Sequence, residues 1–395
     1  MLASAVMFLA LSLWWSYQAF PEEYSVDTNY CQYAQGRLFA QGVVWGRGKE
    51  FRGLSSMWTC MLNVPLKGSA SKYPPGYSGL ITVAWSLGST RVLNPLCGAL
   101  TLALVMLTTM RVYGSRLVTG WFVALSFLSV YFVHMSAEFW NHPSALLACA
   151  AIVWSVSRER GREIPSFIAV GLAIVFCILT RPLSGIAMAI FVGGVGVARW
   201  KRGEGAFVRP VAMMVGAGAS TVLGIVLLGA YNQILTGSAF VSGYEMLHGT
   251  PHNPGFHVDP YGRDFTPWAA VQDLLLRWRS LNVWLFMWPI PSLTLLAVWC
   301  LSYRRWVRGD WLFVWWLAVQ SLVYCYMWSA GQVQYGPRFL YEALPAVVVL
   351  SARGAAILEE TLLAGAFRRV IFRVLIVGCS AFGFWRYAHV VGVLS

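Results

Sequence analysis

The sequence predicts an all-α polytopic membrane protein, and three observations carry that prediction. Of 395 residues, 58% are hydrophobic and only 11% charged, with a mean hydropathy of +0.60. So few charges cannot cover a water-facing surface, and lipid is the solvent for most of the chain. Apolar runs recur along the whole length, and the basic residues fall in short clusters between them. The net charge of +13 therefore marks sidedness in a membrane and not a nucleic-acid surface.

The apolar runs lie at 1–20, 92–110, 117–133, 144–156, 164–180, 183–198, 211–231, 283–301, 311–328, 340–352 and 370–385. Several fall short of the ~20 residues a straight span needs, and polar ends extend them. The first run lacks a basic leader and a small-residue cleavage site. It reads as a retained helix with Trp14, Trp15 and Tyr17 in the outer aromatic belt. One further stretch, "YPPGYSGLITVAWSLGS", opens with a Pro pair suited to a helix start. About fifteen residues at ~1.5 Å rise span only ~22 Å of a ~30 Å core.

Charge decides how that stretch is counted. With 73–90 as an interfacial helix and the amino terminus cytoplasmic, "RVYGSR", "RERGRE", "RWKRGEGAFVRP", "SYRRWVRGD" and "RGAAILEETLLAGAFRR" all fall inside. Counted as a span, it moves every cluster outside. The expectation is about eleven spans in one domain, 1–395, without an internal repeat. Two long outer loops follow, at 21–91 and 232–281, and loops of that length are usually functional. Six of the eight cysteines sit in apolar runs as small hydrophobes. Cys31 and Cys60 share the first loop and pair if that loop faces an oxidising compartment.

With most cations inside, those left outside carry the information. Arg181 stands in the tight break "TRP", Arg338 in "QYGPRFLYEALP", and Lys72 and Arg91 flank the interfacial helix. Each alone reads as a snorkelling side chain on lipid headgroups, worth ~1 kcal/mol. Together they suggest a shared anion, a lipid phosphate, held by charge-assisted bonds of roughly 1.5–3 kcal/mol each. Asp27 in "VDTNYCQYA" has two readings: a helix N-cap, or a general base for an acceptor hydroxyl or amine. Glu138, Asn141 and His142 in "SAEFWNHPSALL" form a second outer polar cluster; His142 reads as a metal ligand or as a structural donor. The second long loop offers Tyr244, Glu245, His248, His252, His257 and Asp259 for acceptor recognition or for covering the site, at spacings that fit no standard zinc motif.

The order of these segments resembles the GT-C glycosyltransferases: a membrane helix, a loop with Asp27 about fifteen residues before Gly42, "KYPPG", a polar outer turn, "TRP" and "YGPRFL…LP". Protein O-mannosyltransferases and the bacterial aminoarabinose transferase that modifies lipid A are the relatives it is most similar to. The resemblance implies a GT-C fold with interfacial helices in the first extracytoplasmic loop. It implies a bacterial inner-membrane enzyme whose active site is on the periplasmic face. Such an enzyme moves a sugar, with inversion, from a polyprenyl-phosphate donor to an extracytoplasmic hydroxyl or amine of a lipid, glycan or protein. Asp27 is then the catalytic base, Lys72, Arg181 and Arg338 bind the donor phosphate, and Tyr73, Glu138, Asn141, His142 and Tyr335 bind substrate. No cofactor is expected; a divalent metal would need a second carboxylate.

There are departures from the pattern. Thr28 follows Asp27 where many relatives carry glutamate, Tyr73 separates Lys72 from Pro74, and Asn141-His142-Pro143 stands where an aspartate often precedes proline. The alternative is a transporter or flippase of lipid-linked sugars, which would use the "TRP" break. Transporters place their binding groups near the midplane within internal repeats, whereas the polar residues here gather in outer loops.

Overall fold

In water an amphipathic helix turns its polar side out, and several helices here do the reverse. The computed structural model describes residues 2–20, 27–46, 60–64, 67–158, 163–203, 208–329, 331, 336–361 and 365–392, with backbone alone at 27–29, 63–64, 163–166 and 208–209. The first apolar run is α1 (Leu2–Ala19). The first long loop holds α2 (Asp27–Ala40), an antiparallel hairpin of β1 (Met61–Val64) and β2 (Gly68–Ser71), and α3 (Pro75–Ser86). Helix α3 is short and lies where an interfacial helix was expected; Pro75 at its start lacks only an N–H that the helix could not have used. Arg91, behind it, donates to Ser16 O and Phe20 O and lies over the Tyr17 ring, capping the end of α1.

The bundle continues with α4 (Leu93–Tyr113), α5 (Arg116–Leu128), α6 (Val130–Ala137), α7 (His142–Val156), α8 (Glu163–Thr180), α9 (Pro182–Lys201) and α10 (Val208–Thr236). Ser129 closes α5 and caps α6, accepting from Phe132 N, and the two helices meet at 62°. After the short α11 (Gly243–His248) come α12 (Pro267–Trp284), α13 (Thr294–Leu301), α14 (Asp310–Tyr324), a 3-10 turn over Arg338–Ala343, α15 (Leu344–Thr361) and α16 (Ala366–Val390).

The stretch 283–301, read from sequence as one span, is broken. Helix α12 runs through Trp284, and Pro289 and Pro291 lie in the opening before α13. Helix α12 is inside out: Asp273 and Arg277 are buried while Trp268, Val271, Leu275 and Leu276 are exposed, a pattern suited to lipid. Arg277 donates to Tyr324 O, Met327 O and Ser329 O, satisfying carbonyls past the end of α14.

Among the described residues five helical segments are long and apolar enough to cross a membrane: Leu2–Ala19, Leu93–Tyr113, Pro182–Lys201, Pro210–Thr236 and Arg338–Thr361. The bent α5–α6 pair makes a sixth candidate, among the described residues. The protein is an integral membrane protein built of helices. Its centre is the unit Arg338–Thr361, 100% buried over its apolar window against 17% for Pro210–Thr236, which lies on the rim and faces lipid. Lipid gives packed helices no hydrophobic drive, so close backbone approach has to hold them together. At Gly354, on α15, an added Cβ would lie 1.9 Å from Leu295 O of α13.

Candidate active site

A cavity of about 560 Å³ opens at one end of the bundle. Alternating helices bring their termini there: α8 and α14 end, α7 and α9 begin, and α10 passes with Leu228 and Asn232. Gln32 of α2, the approach to α3 and the second long loop complete the wall. Of the residues expected at the site, Lys72, Tyr73, Asn141, His142, Arg181 and Arg338 all line it.

The first loop reaches the cavity through covalent and hydrogen-bonded ties. Cys31, one helical turn after Asp27, is joined to Cys60 by a disulfide, and Cys60 O accepts from Lys72 N at 3.1 Å. Gln35 of the same helix accepts from Ser71 N at 2.8 Å and donates to Val44 O at 3.0 Å. The helix that Asp27 begins is thus bolted to the backbone of Lys72. An added Cβ at Gly76 would fall 2.4 Å from Thr180 Oγ1, so α3 starts flush against the end of α8.

Lys72 Nζ lies 2.8 Å from His248 Nε2; ammonium only donates, so that nitrogen accepts. The ammonium also faces the rings of Tyr244 at 4.7 Å and Tyr73 at 5.5 Å. Burial, and then the charge of Arg338, push its pKa down to about 8. His248 stacks on His252 at 4.4 Å, and His252 meets the Trp328 ring edge-on. Burial and then Lys72 lower the pKa of His252.

Arg181 sits in the break between α8 and α9, where Pro182 begins the new helix. Its Nε forms an ion pair with Glu342 Oε1 at 2.7 Å and donates to Tyr324 Oη at 3.2 Å, and its Nη2 donates to Tyr324 Oη at 2.9 Å. Its Nη1 donates to Asn141 Oδ1 at 3.4 Å and to His142 Nε2 at 3.0 Å. A guanidinium cannot accept, so His142 carries its proton on Nδ1 and gives it to Glu342 Oε1 at 3.0 Å. Tyr324, accepting twice from Arg181, passes its own proton to Ser184 Oγ at 2.9 Å, which also accepts from Gln320 at 3.2 Å.

Arg338 is different. Its guanidinium lies over Phe339 at 5.1 Å and Trp140 at 5.4 Å. Its Nε is buried without a hydrogen-bond partner, and no carboxylate pairs with it among the described residues. Burying an uncompensated charge costs several kcal/mol, and an anion in the cavity would relieve it.

Of the other three expected residues, two cannot be located at the cavity and one falls elsewhere. Asp27 opens α2, but its side chain is outside the description, and Tyr335 lies outside the described residues. Glu138 does not line the cavity: it pairs with His134 at 3.4 Å and accepts from Trp140 Nε1, while Asn94 donates to Trp140 O. It thereby steadies Trp140, the ring beneath Arg338. From the second loop Tyr244, His248 and His252 line the cavity. His257 bonds Val258 O and Asn253 O, and Asp259 closes its own turn with Arg263. Sequence reasoning passed over Glu342, Tyr324 and Trp328. Glu342 had a signal, a lone acid at the head of an apolar run; the other two had none among so many aromatics. Among the described residues no group of three or more His, Cys, Asp or Glu could hold a metal ion.

No protein-family profile and no curated protein matches this sequence. Solved structures do. The crystal structure of ArnT from Cupriavidus metallidurans bound to undecaprenyl phosphate aligns with TM-score 0.54 at 14% identity, covering 98% of this chain and 73% of that one. The crystal structure of the same protein in the apo state aligns over 89% of this chain and 59% of that one, with TM-score 0.48 at 13% identity. The first alignment is a likeness of fold along nearly the whole chain: this protein has the GT-C fold.

Proposed function

We infer that the protein is a glycosyltransferase that moves a sugar from a polyprenyl-phosphate donor to an extracytoplasmic hydroxyl or amine. The observation that carries this reading is Arg338, a cation with a buried, unpartnered Nε and no carboxylate partner among the described residues, lining one cavity with Lys72. The cavity also has an apolar side, with Leu183, Leu228 and Met327 contributed by or next to membrane helices. A ligand that is anionic at one end and hydrocarbon at the other suits both. The ArnT structure of like fold holds undecaprenyl phosphate, a ligand of that kind.

In this scheme the acceptor oxygen or nitrogen attacks the anomeric carbon from the face opposite the phosphate, which inverts the configuration. Its proton passes to the Asp27 carboxylate. The bond from the anomeric carbon to the phosphate oxygen breaks, and its electron pair stays on that oxygen, so a diester becomes a monoester with one more negative charge. Arg338 and Lys72 meet the charge as it grows, which favours the transition state over the ground state. No cofactor enters the scheme. Asn141, Tyr73 and the His248–His252 pair are the groups nearest at hand to orient sugar or acceptor. The basic clusters between helices support a cytoplasmic amino terminus, with this end of the bundle on the periplasmic side.

The test is transfer from a synthetic polyprenyl-phosphate sugar by purified protein, with donor retention followed by native mass spectrometry. The wild type should retain the lipid and transfer its sugar. Asp27→Asn should retain it equally while transfer falls by ~10²–10⁴-fold, because a base acts only in the chemical step. Full transfer by Asp27→Asn removes Asp27 from the scheme. Retention of bulk phospholipid alone, with polyprenyl phosphate supplied, removes the donor.

A further inference from the structure

Glu342 is the one acid at the head of the buried unit Arg338–Thr361, and its side chain is 0% exposed. Only one of its oxygens is used. Oε1 accepts from His142 Nδ1 and pairs with the Arg181 Nε charge, while Oε2 is buried without a hydrogen-bond partner among the described residues. A carboxylate kept only for stability is normally satisfied at both oxygens. Here the geometry serves the two partners, both of which line the cavity.

The bonds of Arg181 make the same point from the other side. Its Nε is shared between Glu342 and Tyr324, its Nη2 goes to Tyr324, and its Nη1 reaches Asn141 and His142. Its charge is met by Glu342, and little of its fork is left for a ligand. Arg338, on the same wall, has an unpartnered Nε and no carboxylate partner among the described residues.

We propose that Glu342 is a positioning residue that fixes Arg181 and His142 as one rigid wall of the donor site, and that Arg338, not Arg181, is the principal ligand of the donor's phosphate. This rests on the glycosyl-transfer reading above. Glu342 acts through its two partners: it locks His142 in the tautomer that accepts from Arg181, and so keeps the Arg181 guanidinium from swinging into the cavity. A wall displaced by about 1 Å misorients the reacting centres without removing the phosphate's charge partner, and such displacement lowers turnover by as much as ~10²-fold.

The experiment is steady-state transfer from the same donor by wild type, Glu342→Gln, Arg338→Met and the double variant Arg181→Met/Glu342→Gln, with a melting curve for each. Glu342→Gln should lower kcat by about 10- to 100-fold and leave donor KM unchanged or lower, since a negative charge near the phosphate is gone. Arg338→Met should raise donor KM instead. If Glu342→Gln alone melts too early to assay, the double variant, in which no charge of the pair remains, should fold and still show the low kcat. A double variant with wild-type kcat makes the pair structural and overturns the proposal. So does a Glu342→Gln enzyme whose donor KM rises while its kcat holds. A wild type that neither retains polyprenyl phosphate nor transfers from it overturns both readings; an active wild type with an indifferent Glu342→Gln overturns this one alone.

Discussion

The two ends of the buried unit Arg338–Thr361 carry similar charges and settle them differently. Toward one end, Arg353 donates to Asp310 Oδ1 at 3.4 Å and to Arg305 O at 3.1 Å. Asp310 also accepts from Tyr113 Oη at 2.8 Å and Val307 N at 2.9 Å, so both its oxygens are used. None of these residues lines the large cavity. About three helical turns away, Glu342 leaves an oxygen orphaned and Arg338 has no carboxylate among the described residues. A matched cluster closes on itself and holds helices together. An unmatched one, facing a cavity, is built for something that is not part of the chain.

The sharpest way to break that contrast is to cut each end. Asp310→Ala strands the half-buried Arg353 and frees Tyr113 and the Val307 N–H, a loss of about 3–5 kcal/mol. Thermal unfolding in detergent should show the fall in Tm, while transfer per folded molecule stays at the wild-type level. A normal Tm with lost transfer would mean that this end, too, belongs to the site. Arg338→Met should behave in the opposite sense. Removing a cation without a counter-ion leaves the Tm of the empty protein unchanged or raises it, and donor affinity drops by about 10- to 100-fold, the worth of one charge-assisted bond. An Arg338→Met protein that melts as early as Asp310→Ala would make Arg338 structural.

What could be read from sequence follows the same division. Residues whose meaning lies in where they sit relative to lipid were legible. Lys72, Arg181 and Arg338 were picked out as cations on the wrong side, and all three line one cavity. The helix at Pro75–Ser86 was legible from its Pro pair and short length, and the sidedness of the basic clusters argued against counting it as a span. Residues whose meaning lies in a distant partner were not. Nothing local to "YEALP" says that Glu342 meets Arg181 and His142. The break in 283–301 escaped because its apolar composition continues through two prolines. Cys31 and Cys60 were open alternatives until the hairpin brought them together.

The smallest effect is also the most specific, and it concerns Lys72. An ordinary lysine keeps its proton well past pH 9, but in the empty site burial and Arg338 bring this one down to about 8. Donor phosphate binds the ammonium form. Affinity should therefore be complete below that pH and fall by about tenfold between pH 7 and 9 as the free protein loses the proton. The stability of the empty protein runs the other way. Between the lowered folded value and the ordinary lysine value, the unfolded chain holds a proton that the folded chain has released, so this group's contribution rises with pH. Titrating donor binding and Tm over the same range separates the two slopes. Lys72→Arg should flatten both, because a guanidinium does not deprotonate there. If the donor-affinity slope persists in Lys72→Arg, Lys72 is not the titrating group.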